Sequence, residues 1–430
     1  MYGATIGKTS ILGIDAATNQ ACAVGIPDAV SSEFLYHYLI SQTRNFVEIG
    51  KDGAQPNISQ GIVKAWPILV PPRPEQARIV DKLEELLSDL DSGVAEIQAA
   101  QKKLIQYRQS LLKAAVEGAL TADWRAERAR RDEPIETGAQ LLERVLRERR
   151  ARWEARQLAK FAEQGKSPSK DWREKYPEPL RADASQLTEL PDRWVWATID
   201  QISQVGTGVT PLRSNAAYFD EGTVPWVTSG ALNSETVTLA TEHVTELALK
   251  ECRLEIYPAG SLLVAMYGEG KTRGKCSELL IPATINQAIA AIVLELEAQA
   301  SKAYVKAFLF DSYERMRAQA SGGVQPNLNL QIVKSIVLPL PPNVEQTEIT
   351  KLLAGQFDQI SQQRIAVELG LKQAAAQRKN ILKAAFSDQL VPQDPNDEPA
   401  NVLLERIRAE RATGRKAARP HRADTAKRAA

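Results

Sequence analysis

The chain has 430 residues, 43% of them apolar, with 54 Lys and Arg against 53 Asp and Glu for a net charge of +1. That length predicts two or three domains, and the near-zero charge excludes a global basic field, so any nucleic-acid contact has to come from local patches. Three scattered cysteines and three isolated histidines argue against zinc sites and His-based catalysis. With no signal peptide at the start and no apolar run of membrane-spanning length, the expectation is a cytoplasmic protein with reduced thiols.

Residues 1–73 open with "MYGATIGKTS", which looks like a phosphate loop. Only three residues separate Gly3 from Gly7, one fewer than a Walker loop needs for its backbone amides to wrap the phosphates, and no strand precedes it. Residues 74–120 predict a long helix after Pro71-Pro72, with Glu75 in its first turn, where the helix dipole favours an anion. It carries Ile79, Leu83, Leu86, Leu90, Val94, Ile97, Leu104 and Leu111 at spacings of three and four. Residues 121–186 hold a charged helical linker with 15 basic and 12 acidic side chains up to residue 180, read as a solvated spacer or partner surface, with a DNA-backbone contact as the alternative. Residues 187–343 read as a complete domain of short apolar strands broken by Gly and Pro, including one buried strand in "TINQAIAAIVLEL", followed by a helix over 301–320. Residues 344–391 predict a second long helix with Ile349, Leu353, Ile360, Val367, Leu371, Ala374 and Ile381 on its stripe, and 392–430 a basic tail, disordered after Arg406. Each long helix runs roughly 65–70 Å at 1.5 Å per residue. Two matching heptad-like stripes in one chain predict that the helices pair, antiparallel if the copies are related by a two-fold axis.

The chain repeats itself. "MYGATIGKTSILGIDAATNQACA" at residue 1 returns as "MYGEGKTRGKCSELLIPATINQAIA" at 266, with Gly7-Lys8 matching Gly274-Lys275 and Asn19-Gln20-Ala21 matching Asn286-Gln287-Ala288. Residues 55–79 match 325–349 without a gap at 11 of 25 positions, so the identity is far above chance. Leu141-Leu142-Glu143-Arg144 reappears as Leu403-Leu404-Glu405-Arg406. Units this long are duplicated domains, not solenoid repeats. The Gly-Lys turn, present twice without Walker spacing, is thus structural. Residues 187–265 have no counterpart, so the first copy begins in mid-domain and is expected to be N-terminally truncated, with unpaired apolar edges.

No catalytic constellation emerges. "LPLPPN" at 338–343 has the prolines of a base-flipping methyltransferase tetrapeptide but neither the preceding Asn or Asp nor the following aromatic. The order of "LPDRWVWATI", "GTGVTP", "YFDEGTVPWVTSGAL", "GSLLVAMYGEGKTRGK", "INQA", "GVQPNLNLQIVKSIVLPLPP" and "RKNILKAAFSDQL", much of it repeated, resembles that of specificity subunits of type I restriction–modification systems. The resemblance implies a mixed α/β (α+β) fold of two target-recognition domains, separated by an antiparallel pair of long helices. Each domain would read one half of a bipartite, asymmetric double-stranded DNA target, and the spacer would set the gap. It also implies a non-catalytic chain that recruits methyltransferase (modification) subunits and endonuclease/translocase (restriction) subunits. S-adenosylmethionine, ATP and Mg are then expected on those partners and no cofactor on this chain. The alternative is a truncated, DNA-inactive coiled-coil scaffold that only docks partners. Candidate DNA-binding residues are Thr210, Arg213, Ser214 and Asn215 in the first loop, Thr228, Ser229 and Gly230 after Trp226, and Lys271, Arg273 and Lys275 in the Met-Tyr-Gly turn, because base edges and phosphates are read by hydroxyl, amide and cationic groups on loops. Motifs shared by both copies are expected to build the fold or touch phosphate, and Trp194, Trp196 and Trp226 to serve the core.

Overall fold

The computed structural model describes residues 1, 5–50, 57–131, 134–183, 185, 187–267, 272–320 and 328–417, with the backbone alone at 315, 318–320 and 413–417. Lys271, the Gln325-Pro326-Asn327 motif and the end of the tail lie outside these residues. The chain divides into two units, Met1–Lys103 with Gln363–Ala430, and Leu104–Gln362.

The second unit contains the strands β1 Val195–Thr198, β2 Ser203–Thr207, β3 Val224–Val227, β4 Thr236–Val237, β5 Glu242–Val244, β6 Leu262–Ala265, β7 Cys276–Leu279, β8 Thr284–Ile285, β9 Ile289–Leu294 and β10 Val337–Leu340. They form a five-stranded sheet β2-β9-β6-β7-β4, a three-stranded sheet β5-β3-β8 and the pair β1-β10. Only β3–β8 and β4–β7 are parallel, the mark of a mixed architecture without βαβ rhythm. The core sits on β6, buried along its whole length, and on β9 beside it. Residues 284–296 are not one strand: Asn286 Oδ1 accepts from Ala288 N at 3.1 Å and turns the chain, so β8 and β9 enter different sheets. The stretch 301–320 likewise is two helices, Lys302–Asp311 and Tyr313–Ala320, meeting at Ser312.

The long helices run over Arg73–Val116 and Asn343–Ala385. In the first unit Arg378 pairs with Asp91, Leu83 packs in one cluster with Leu382 and Ala385, and Gly370 lets the helices close up, since a Cβ there would meet the Ile97 methyl at 3.3 Å. In the second unit the Tyr107 hydroxyl donates to Gln356 at 3.0 Å, and Leu111 and Leu112 pack with Ile349 and Leu353. Rising numbers on one helix meet falling numbers on the other, so the pairing is antiparallel within each unit.

The charged linker is not a free spacer. Its helix Gly138–Glu163 sinks Leu141, Leu142 and Val145 into the cluster that holds Leu262 and Ile292. Arg152 binds Glu295 at 2.8 Å and Glu297 at 2.7 Å, and Arg149 meets Glu295 at 3.4 Å. The arginine held on Glu297 keeps that carboxyl below the usual range. Among the described residues the tail continues past Arg406 as a helix, where disorder was expected: it spans Ala400–Ala417 and buries Leu403 and Ile407. The two helices are repeat counterparts down to their ion pairs. Arg144–Glu136 is matched by Arg406–Glu398, and Arg149–Glu295 by Arg411–Asp28. Each helix clasps its own unit, and a narrow apolar stripe plus paired arginines explains why so charged a sequence folds there.

Met1 stands in the first unit as Met266 stands in the second. Met1 N donates to Ala21 O at 2.7 Å and Ile58 N to Met1 O at 3.0 Å. In the second unit Met266 N donates to Ala288 O at 2.8 Å and Leu328 N to Met266 O at 3.1 Å. The Gly-Lys turn recurs with Gly7 at φ 76° and Gly274 at φ 81°, the left-handed backbone that favours glycine.

Glu345 and its counterpart Glu75 differ. The buried Glu345 carboxylate accepts from Thr121 Oγ1 at 2.7 Å, Arg125 Nη1 at 2.6 Å and Trp194 Nε1 at 2.8 Å. Glu75 is 6% exposed and has no hydrogen-bond donor among the described residues, because Val391 and Pro395 stand at the repeat positions of Thr121 and Arg125. Burial pushes its carboxyl up, Asp388 and Asp397 push it further, and Arg78 opposes them. A carboxyl raised in the folded state contributes stability below its unfolded value that is lost as pH rises through the folded one. Glu75→Gln is therefore expected to raise the Tm of the first unit at pH 7 and to lose that advantage near about pH 4, the ordinary range of a glutamate. Calorimetry at the two pH values checks this; an unchanged or lower Tm at pH 7 would count against it.

Candidate nucleic-acid interface

The loop after β2 is anchored before it reaches solvent. Gly208 lies against β8, where a Cβ would run into the Ile285 carbonyl, so only glycine lets the chain pass. Trp226 of β3 is 1% exposed and its Nε1 donates to Val209 O at 3.3 Å. These two contacts fix where the following residues emerge.

Arg213 leaves this anchor over two rings, 4.8 Å from the Trp226 centroid and 5.1 Å from that of Phe219. Its Nη2 donates to Glu242 Oε1 at 3.1 Å and its Nη1 to the other oxygen, while 55% of the side chain stays exposed. The carboxylate of β5 thus orients the guanidinium, and stacking restrains its plane. Ser214 is exposed beside it, at a surface depression of about 430 Å³ that Asp220 and Glu242 also line. Asn215 serves the fold: its Oδ1 accepts from Ala217 N at 3.2 Å and caps the turn Ala216–Tyr218. The Thr210 hydroxyl is bonded to Gln287 Oε1.

A second group gathers after β3. Thr228 and Ser229 are half-buried, Gly230 is exposed, and a short helix runs over Ser229–Asn233. Lys275 Nζ donates to Asn233 Oδ1 at 2.8 Å, which ties the Met-Tyr-Gly turn to that helix. Arg273 Nε is buried without a hydrogen-bond partner among the described residues. Because β3 and β8 are parallel with Val227 opposite Ile285, Thr228 and Asn286 leave the sheet side by side. The structure therefore brings Thr210, Arg213 and Ser214 together on one loop, and Thr228, Ser229 and Lys275 around the adjoining helix. Trp194 and Trp226 are buried, whereas Trp196 is half-buried with its indole on Thr188 O at 3.2 Å.

The shared Asn-Gln motif, expected to build the fold or touch phosphate, divides between its two residues. The preceding Asn does build the turn in both copies, with Ala21 N on Asn19 Oδ1 at 3.0 Å and Ala288 N on Asn286 Oδ1 at 3.1 Å. The glutamine is exposed in both copies, and in the second its side chain meets the Thr210 hydroxyl. A repeated polar residue beside a turn-forming one was the available signal.

The family model for the type I restriction modification DNA specificity domain matches residues 1–100 and 191–369. The EcoDI type I specificity subunit of Escherichia coli is 24% identical over 407 residues, which cover 91% of this chain and 80% of that one. The EcoKI specificity subunit of Escherichia coli K12 is 36% identical over 97 residues, 23% of this chain and 21% of that one. A solved chain from work on complex assembly and conformational transition of the type I R-M system covers 84% of this chain and 72% of its own length, at TM-score 0.57 and 16% identity. Among the described residues, no helix is long and apolar enough to cross a membrane.

Proposed function

Because this chain belongs to the type I restriction modification DNA specificity domain family, we propose that its second unit reads one half of a two-part double-stranded DNA target. It does so as the non-catalytic specificity subunit of a complex with methyltransferase and restriction subunits. The duplicated domain-plus-helix architecture, repeated down to the Arg149–Glu295 and Arg411–Asp28 pairs, carries this reading. Two related units in one chain suit a target with two halves.

Within the second unit, discrimination falls to residues without a counterpart in the first copy, with Arg213, Thr210 and Ser214 foremost. The shared Lys275 and Gln287 suit the phosphate backbone, which sets register without carrying sequence information. S-adenosylmethionine, ATP and Mg belong to the partner subunits in this reading, and the complex works in the cytoplasm.

The test is a single-molecule methylome of cells making this chain with its cognate methyltransferase subunit. Methylation at one asymmetric two-part motif is the expected result. Absence of any motif, with the methyltransferase subunit still co-purifying, would replace the reading by that of a DNA-inactive scaffold.

A further inference from the structure

The group around Thr228, Ser229 and Lys275 stands on the short helix Ser229–Asn233, so its place is set by what holds that helix at its two ends. The first end is firm. β3 lies between β5 and β8, and Asn286 N donates to Val227 O at 3.0 Å just before Thr228 leaves the sheet. The second end runs into β4, a strand of two residues at the edge of the five-stranded sheet, paired with β7 alone. An edge strand this short has little pairing of its own to fix it. Ser277 Oγ donates to Ser234 O at 2.5 Å and Glu278 N to Glu235 O at 3.0 Å. Glu235 then takes a tie from outside the sheet. Arg108 Nη2, on the first long helix, donates to Glu235 Oε1 at 2.5 Å across 127 positions of sequence. Its guanidinium lies 4.9 Å from the ring centre of Phe357 on the second long helix and 5.9 Å from that of Phe310 on Lys302–Asp311. Among the described residues, no other side chain of the long helices is hydrogen-bonded or ion-paired to residues 228–237.

We propose that Arg108 is a positioning residue for DNA reading. From the long helix it holds Glu235, and through β4 it fixes the helix on which Thr228, Ser229 and Lys275 gather. The inference rests on the DNA reading proposed above, and adds that base preference depends on a spacer residue acting through another side chain. The pair is partly exposed, 35% for Arg108 and 55% for Glu235, so it adds little to stability. What it supplies is direction: a planar guanidinium restrained by two rings presents its N–H groups in a fixed plane. Recognition groups have to be held within about 0.5 Å of their productive place, so a small slackening at β4 reaches the base contacts before it reaches the fold.

The test uses the full chain with its cognate methyltransferase subunit, titrated with duplexes carrying the wild-type methylated motif and each single-base variant of it. Arg108→Ala is expected to weaken binding to the motif about fivefold, the scale of a surface ion pair with its stacking. It should relax the base positions that Thr228→Ala/Ser229→Ala relaxes, not the one that Arg213→Ala relaxes. Arg108→Ala/Glu235→Ala should be no weaker than either single variant, and the charge exchange Arg108→Glu/Glu235→Arg should restore most of the loss. Amide hydrogen exchange at 229–237 should quicken in Arg108→Ala while the Tm falls by no more than about 3 °C. Unchanged base preference in Arg108→Ala, relaxation at other positions, or no recovery in the charge exchange each overturns the inference while the DNA reading stands. A wild-type complex that prefers no sequence overturns the DNA reading itself, and the inference with it.

Discussion

Glu345→Ala is expected to cost the second unit about 3–5 kcal/mol, the usual consequence of removing one member of a buried, hydrogen-bonded ion pair. The carboxylate is 2% exposed and is where three elements meet: the start of the second long helix, Thr121 with Arg125 beyond the end of the first, and Trp194 ahead of β1. Its loss leaves the indole N–H without an acceptor and Arg125 without its carboxylate, held only on Gly118 O and Thr121 Oγ1. For a unit of 259 residues, counted from Leu104 to Gln362, the Tm should fall on the order of 10 °C. Trp194→Phe removes one donor and leaves the ion pair, and should cost about 1–3 kcal/mol. Glu75→Ala supplies the internal control, because that glutamate has no donor to strand. Scanning calorimetry of the three variants decides the matter. Equal effects for Glu345→Ala and Glu75→Ala would refute the assignment of Glu345 as the joint of the second unit.

Much of this architecture was legible in the sequence, and the repeat made it so. Apolar stripes on the two long helices and the paired Gly-Lys turns reflect local rules that act the same way twice. The two clasping helices were harder to see for a physical reason. In Gly138–Glu163 only Leu141, Leu142 and Val145, with Gly138, are buried, so a 26-residue helix shows barely two turns of apolar signal among its arginines. Their order depends on Glu295 and Asp28, which lie far off in sequence, and only the repeated Leu-Leu-Glu-Arg hinted at it. The break at Asn286 escaped notice because an apolar run on both sides looks continuous until a side chain turns the backbone. Among the candidate interface residues, chemistry was legible but commitment was not. No spacing rule says that Asn215 spends its oxygen on a cap, or that Arg213 already holds a carboxylate.

That carboxylate makes Arg213 the most informative position in the proposed DNA interface. Arg213→Ala is expected to weaken specific DNA binding by about 1–3 kcal/mol, roughly 5- to 150-fold, and to relax base preference at one position of the half-site. Two of its five N–H donors are spent on Glu242, and the stacking on Trp226 and Phe219 holds the remaining donors in one plane. A guanidinium restrained in this way loses less entropy on meeting a planar acceptor pair than a free one. Arg213→Lys should keep the charge and most of the salt dependence while losing the preference, since a point charge cannot make the bidentate contact. Glu242→Gln acts in the opposite direction on affinity: it removes the negative charge that holds Arg213, and should raise nonspecific binding while degrading discrimination. Titrations at two salt concentrations, combined with the methylated motif of each variant, separate these outcomes. If Arg213→Ala leaves both the affinity and the motif unchanged, Arg213 is a structural arginine, and base reading must be sought at Thr228, Ser229 and the turn around Lys275.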